Sequence, residues 1–189
     1  LTADHSNRVE VLAADGPFIS VAQRPTAVRD SAQTLETDPV AIPPGTLLAN
    51  DAGPSLGGSI RIASVGGIAT GAGGTGAGGR TTLPSGAIVS ISALGMVSYD
   101  PHGVFQNLAQ NETATDTFTY TLAATNGASD TGVVMITIVG VNDAPIASHD
   151  NDVVGLLLAN QTANIQAASL LANDRDPDAS DFLKVTAAG

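Results

Sequence analysis

Cysteine and tryptophan are absent from the 189 residues, and lysine occurs once, at Lys184. Without cysteine there is no disulfide framework, no thiol nucleophile and no thiolate zinc site. Glutamate is nearly as scarce: Glu10, Glu36 and Glu112 stand against 15 aspartates. Glutamate and lysine are the usual exposed residues of helices, so a chain short of both and rich in Gly, Thr, Val and Ile is poorly equipped to form them. It reads as strands joined by turns. Basic charge is lacking too, with 7 Lys and Arg against 18 Asp and Glu, a formal net charge of −11. No basic patch is available to neutralise phosphates, which excludes nucleic acid as a partner. The same balance disfavours an anionic membrane surface. The longest strongly apolar stretch, residues 133–141, is interrupted by Thr137 and Gly140, so membrane insertion is not expected. No basic segment followed by an apolar one opens the chain. Both ends are expected to be cuts in a longer polypeptide. A hydrophobic content of 43% is nonetheless sufficient for a real core, which argues against wholesale disorder.

An internal repeat organises what is present. Leu47-Leu48-Ala49-Asn50-Asp51 recurs as Leu170-Leu171-Ala172-Asn173-Asp174, an offset of 123. Pro25-Thr26-Ala27-Val28-Arg29-Asp30 is matched by Pro145-Ile146-Ala147-Ser148-His149-Asp150, an offset of 120. A period near 120 is too long for a solenoid unit and suits tandem whole domains. The expected organisation is the tail of a preceding β unit at 1–24, a complete unit at 25–142, and a linker with the start of the next unit at 143–189. Within the complete unit Phe118, Tyr120 and Leu122 alternate with threonines, and Val134, Ile136 and Ile138 alternate with Met135, Thr137 and Val139. Period-two alternation predicts half-buried strands, with shorter ones at 60–62 and 89–91. Asn126-Gly127 supplies a turn between two strands, and 107–110 could form one helical turn. Many short strands in a domain of this size imply an all-β class, a β-sandwich. The Gly-rich stretch 66–79 is expected to be an insertion between strands, a flexible hairpin or an Ω-type loop.

Several motifs carry little chemistry. Gly71-Ala72-Gly73-Gly74-Thr75-Gly76 is a G-x-G-x-x-G, but Pro84 and Gly86 follow where a phosphate-binding helix would have to begin. The same glycines resemble a calcium-binding nonapeptide, yet Gly78 stands where the ligating Asp is required. His5, His102 and His149 have no nucleophile elbow near them, and His102 sits in the turn sequence Asp100-Pro101-His102-Gly103. Catalysis is not expected.

The acidic run Asp174-Arg175-Asp176-Pro177-Asp178-Ala179-Ser180-Asp181 is the informative cluster. Seven of the 18 acids fall between positions 143 and 181, so the negative charge is concentrated around one junction. Carboxylates about 6–7 Å apart repel one another by roughly 0.5–1 kcal/mol in a water-like dielectric. A bound Ca²⁺, which takes six to eight oxygens, would turn that repulsion into coordination. Upstream stands Val141-Asn142-Asp143-Ala144-Pro145. Taken with Asn111-Glu112-Thr113, Asp116-Thr117-Phe118-Thr119-Tyr120 and the Leu-Leu-Ala-Asn-Asp sequence, this junction resembles the bacterial cadherin-like and VCBS-type tandem repeats of large secreted RTX adhesins, over roughly residue 25 to the C-terminus.

The resemblance implies an Ig/cadherin-like β-sandwich with calcium held at junctions between successive domains. It further implies a secreted or cell-surface bacterial protein whose partners are neighbouring repeats. Homophilic or glycan contacts, or an accessory role beside a secreted hydrolase, remain alternatives. Carried over by position, the implied ligands are Glu112, Asn142, Asp143, Asp174, Asp176 and Asp178, with Asn126 standing where the family has an Asp. The first junction, Val21-Ala22-Gln23-Arg24-Pro25, has neither Asn nor Asp, and Asp51 is followed by Ala52-Gly53-Pro54. Calcium is therefore expected at the second junction and not the first. An anomalous-scattering map that placed calcium beside Arg24 would contradict this.

Overall fold

A computed structural model describes residues 23–54, 58–70, 78–150 and 160–186. The described strands are β1 (Asp30–Leu35), β2 (Val40–Ile42), β3 (Ile60–Val65), β4 (Ile68–Ala69), β5 (Gly79–Thr82), β6 (Ile88–Ile91), β7 (Val97–Asp100), β8 (Thr113–Ala124) and β9 (Ser129–Val139). Two single helical turns accompany them, α1 (Pro44–Leu47) and α2 (Ala167–Leu170). The strands form a five-stranded sheet ordered β1-β9-β8-β3-β4 and a four-stranded sheet ordered β2-β7-β6-β5. Their pairing is antiparallel except for β1, which lies parallel to β9 from Asp30 opposite Val134 to Leu35 opposite Val139. This is an all-β, Ig-like sandwich.

The β8–β9 hairpin is where the sequence speaks most clearly. Along β8 the even positions Phe118, Tyr120, Leu122 and Ala124 are buried, and along β9 so are Val134, Ile136 and Ile138. Every second side chain points inward because a strand's side-chain period is two. The loop fits its sequence. The Ala124 N–H donates to Ala128 O, the Gly127 N–H to Ala124 O, and Asn126 Oδ1 accepts from the Ala128 N–H at 3.0 Å. Gly127 has φ +86°, the left-handed position that glycine fills at the end of a three-residue hairpin loop.

The two sheets meet in one core. Ile62, Val65, Phe118, Tyr120, Leu122, Val134, Ile136 and Ile138 face Ile42, Val89, Ile91, Val97 and Tyr99, with Leu47 of α1 closing one end. Full burial of each large side chain stabilises by ~1.5–3 kcal/mol. The Tyr99 ring lies nearly parallel to that of Phe118, 6.4 Å away. Its hydroxyl donates to Asp116 Oδ2 at 2.8 Å, and the Ser85 hydroxyl donates to the same oxygen at 2.6 Å. Burial and the Asp116 carboxylate hold the phenol proton well above the usual tyrosine range, so the bridge between the sheets stays protonated. A bulge between Ile62 and Ser64 lets both Ile62 and Val65 turn inward from β3.

Some local structure departs from expectation. Residues 107–110 are not helical, because this segment is held by turn bonds such as Leu108 N–H to Phe105 O and Glu112 N–H to Ala109 O. At the start of the stretch 66–79 the hairpin alternative holds. Gly66 and Gly67, at φ +54° and +84°, make a two-residue turn that lets Ile68 pair back onto Val65. The G-x-G-x-x-G residues 71–76 lie outside the described residues, as do residues 1–22 of the expected preceding tail.

The repeat has a structural meaning. Asp51 Oδ1 accepts the Val28 N–H at 2.8 Å, and Asn50 Nδ2 donates to Arg29 O at 3.1 Å. Likewise Asp174 Oδ1 accepts the Ser148 N–H at 2.7 Å, and Asn173 Nδ2 donates to His149 O at 3.1 Å. Isolated bridges Thr26–Ala52 and Ile146–Arg175 flank the two copies, and α1 and α2 precede them. The Asn-Asp pair is thus a fastener tying the loop after each helical turn to the start of its unit.

Gly132 has no side chain because the Tyr120 ring occupies that space; a Cβ there would overlap the ring atoms. Gly132→Ala is expected to destabilise the chain by about 1–3 kcal/mol in urea denaturation. Gly45→Ala, in α1 with nothing within 4 Å of the new methyl, should be neutral or stabilising by up to about 1 kcal/mol.

Candidate metal centre at the second junction

Glu36 is the first residue after β1 and is 1% exposed. Its N–H donates to Val139 O at 3.0 Å, which extends the parallel β1–β9 pairing by one residue. Its Oε1 accepts the Val141 N–H at 2.9 Å, whereas Oε2 is buried without a hydrogen-bond partner. The carboxylate therefore sits where the chain leaves β9 for the linker.

A loop from the β7–β8 connection forms one wall. Gly140 donates to Glu112 O and accepts from the Asn111 N–H, while Glu112 Oε2 accepts the Ala109 N–H at 3.0 Å. Gly140 is required there, since a Cβ would overlap the carbonyl oxygens of Leu108 and Ala109. The opposite wall comes from residues 176–181. Asp178 is 2% exposed, and its Oδ2 accepts the Asp143 N–H at 3.0 Å. Its own N–H donates to Asp176 Oδ1 at 3.1 Å, its carbonyl accepts the Asp181 N–H, and Oδ1 is buried without a partner. The Ala179 N–H donates to Asn107 O at 3.1 Å. The two walls are thereby in direct contact.

Electrostatics mark the site as unbalanced. Burial raises the Glu36 carboxyl above its ordinary value. The Val141 N–H opposes this, the Asp143 and Asp178 charges add to it, and the Leu108 backbone also lowers it. Carboxylate oxygens of Asp176, Asp178 and Asp181 lie within 4.8 Å of one another. Two buried carboxylates, each with one oxygen lacking a donor, are costly unless a cation completes them. The donor set consists of hard oxygens alone, which suits calcium rather than a softer metal.

The residues expected from sequence divide into three groups. Asp143, Asp176 and Asp178 are brought together, and Glu112 lies in the loop that forms the adjoining wall. Asn142 is exposed beside them, its Nδ2 donating to Asp143 O at 2.6 Å. Asn126 and Asp174 are engaged elsewhere. Asn126 sits in the hairpin at the far end of β8, roughly 35–40 Å from Thr113 at strand rise. Its side chain is engaged by Gln23 O and the Ala128 N–H. It belongs to the first junction and cannot join this site. Asp174 Oδ1 accepts the Ser148 N–H, as Asp51 Oδ1 accepts that of Val28, which makes it part of the fastener. Glu36 was missed: it lies over a hundred residues from Asp143, and only the parallel β1–β9 register brings it to the linker. A weak signal existed in its rarity, a glutamate in an aspartate-rich chain. Asp181 was within the recognised acidic run but outside the inferred ligand set.

No curated protein matches the chain. Residues 22–137, more than half of it, match the family model of a bacterial Ig domain. That span takes in all nine strands but for the last two residues of β9, and it agrees with the two-sheet architecture. The chain belongs to the bacterial Ig domain family.

Proposed function

We propose that this chain is a structural and adhesive module of the cadherin-like, VCBS type, from a large secreted or cell-surface bacterial protein, and that calcium stiffens its second junction. Bacterial Ig domains occur as structural or adhesive modules of surface proteins and are generally non-catalytic. Among the described residues no helix is long and apolar enough to cross a membrane. One observation carries the calcium reading. Glu36 of the complete unit and Asp178 of the following segment each bury an unpartnered carboxylate oxygen at the same linker. Glu36, Asp143, Asp176 and Asp178 would hold the ion, with Glu112, Asn142 and Asp181 adjoining. Bound calcium supplies positive charge to a site whose protein groups are all oxygen donors. Because the donors come from both sides of the linker, occupancy resists bending between units. At the first junction the corresponding linker carries Arg24, and Asp51 is followed by neutral residues, so no equivalent cation is proposed there.

Extracellular calcium modules bind with dissociation constants of ~10⁻⁴–10⁻³ M. Free calcium at 100 times the constant adds ~2.7 kcal/mol of stability. Thermal unfolding of the full chain is expected to shift upward with millimolar calcium and return with chelator. Glu36→Gln keeps an acceptor for the Val141 N–H but removes the buried charge. It should raise the melting temperature in chelator and abolish most of the calcium-dependent increase. A variant that still gains the full increase would remove Glu36 from the site. Small-angle scattering of the same chain should show a narrower distance distribution with calcium than with chelator; superimposable profiles would refute the stiffening.

A further inference from the structure

A second group of acids lies at the opposite pole of the sandwich, where the start of β1 meets the loop after α1. Asp30 is 9% exposed, and its Oδ2 is buried without a hydrogen-bond partner. On the loop after α1, Asp51 has both oxygens within hydrogen-bond reach of the Tyr120 hydroxyl, at 2.9 and 3.0 Å. Asp51 Oδ1 also accepts the Val28 N–H. Tyr120 comes up from β8 with its ring in the core and its hydroxyl at the pole, also within 3.2 Å of Val28 O. Three elements therefore converge on two carboxyl groups: β1, the fastening loop and β8.

We propose that the buried Asp30 carboxyl carries a proton in the folded chain, at the pole where Tyr120 meets Asp51, forming an acid-strengthened latch that grips the start of β1 more firmly as pH falls. A metal ion fits this pole poorly. Asp51 already accepts a backbone N–H and the phenol, and Tyr120 offers a donor hydrogen. A proton supplies the one donor that the buried Asp30 oxygen lacks. The groups acting on Asp30 are consistent with this. Burial raises its carboxyl above the ordinary value, Tyr120 lowers it, the Asp51 charge raises it, and Asn50 lowers it. Arg29, next in sequence, is exposed. On β9, Asp130 is engaged at some distance by the Ala27 N–H. The phenol is pushed far above its usual range by burial and by both aspartates, so it remains a donor throughout.

The direction of the pH effect follows by linkage. A carboxyl whose folded value lies above its unfolded one contributes stability that is fully present below the unfolded value. That contribution is lost as pH rises through the folded value. Carbon-detected NMR titration of the full chain, in calcium throughout so that the opposite pole is constant, is expected to place the Asp30 midpoint above ~4. Tyr120 ring signals should move in the same step. Asp30→Asn mimics the protonated state. Its melting temperature should exceed that of the wild type by about 2–5 °C at pH 7.5, with the gap closing as pH falls into the ordinary aspartate range. An Asp30 midpoint at or below the ordinary aspartate value, or a gap that does not change with pH, overturns the latch.

Discussion

The β8–β9 ladder is the constraint on which the remainder is built. Eleven residue pairs, from Thr113 opposite Val139 to Ala123 opposite Ser129, fix which side chains face the core. A slip of one position would turn Phe118, Tyr120 and Leu122 to solvent. β1 and β3 then add to its two edges, and the second sheet packs on the face so defined. Both poles inherit their geometry from this ladder as well. Val141 and Asp143 leave from one end of β9, and Tyr120 delivers its hydroxyl to the other.

Polar groups in the core are few and are used as ties. Tyr99 reaches from β7 to Asp116 on β8, and Tyr120 from β8 to Asp51 beyond α1. Each phenol carries a polar tip to the margin of an apolar body, which is how tyrosine combines packing with a hydrogen bond. The Asn-Asp fastener adds backbone ties that recur in the following segment with the same atoms. These ties explain why a chain with 3% aromatics can position distant loops accurately.

The long strands were legible because alternation over six residues, as at 117–122 and 134–139, has one physical explanation. The Asn126-Gly127 turn was legible because Gly127 suits left-handed backbone and the Asn126 side chain accepts a backbone N–H two residues on. β1, by contrast, reads Asp-Ser-Ala-Gln-Thr-Leu, with no apolar period. It is a strand because β9 offers a parallel edge, which is a tertiary fact. Glu36 escaped notice for the same reason. The acidic run between Asp174 and Asp181 was legible as a cluster, but not the division of labour within it. Whether an aspartate fastens backbone or lines a site depends on which N–H groups the fold places beside it. The place of Asn126 is not legible in the sequence, because position relative to a motif says nothing of which end of a long strand a hairpin occupies.

The parallel course of β1 beside β9 has a mechanical consequence. The chain enters β1 at Asp30, at one pole, and leaves β9 at Val139, at the other. Tension along the polypeptide therefore slides these strands past each other, and the ladder from Asp30–Val134 to Leu35–Val139 is loaded all at once. Unzipping would break one bond at a time; shear requires several to fail together. Glu36 lies at the downstream end of that ladder, so its tie to Val141 continues the sheared seam into the linker.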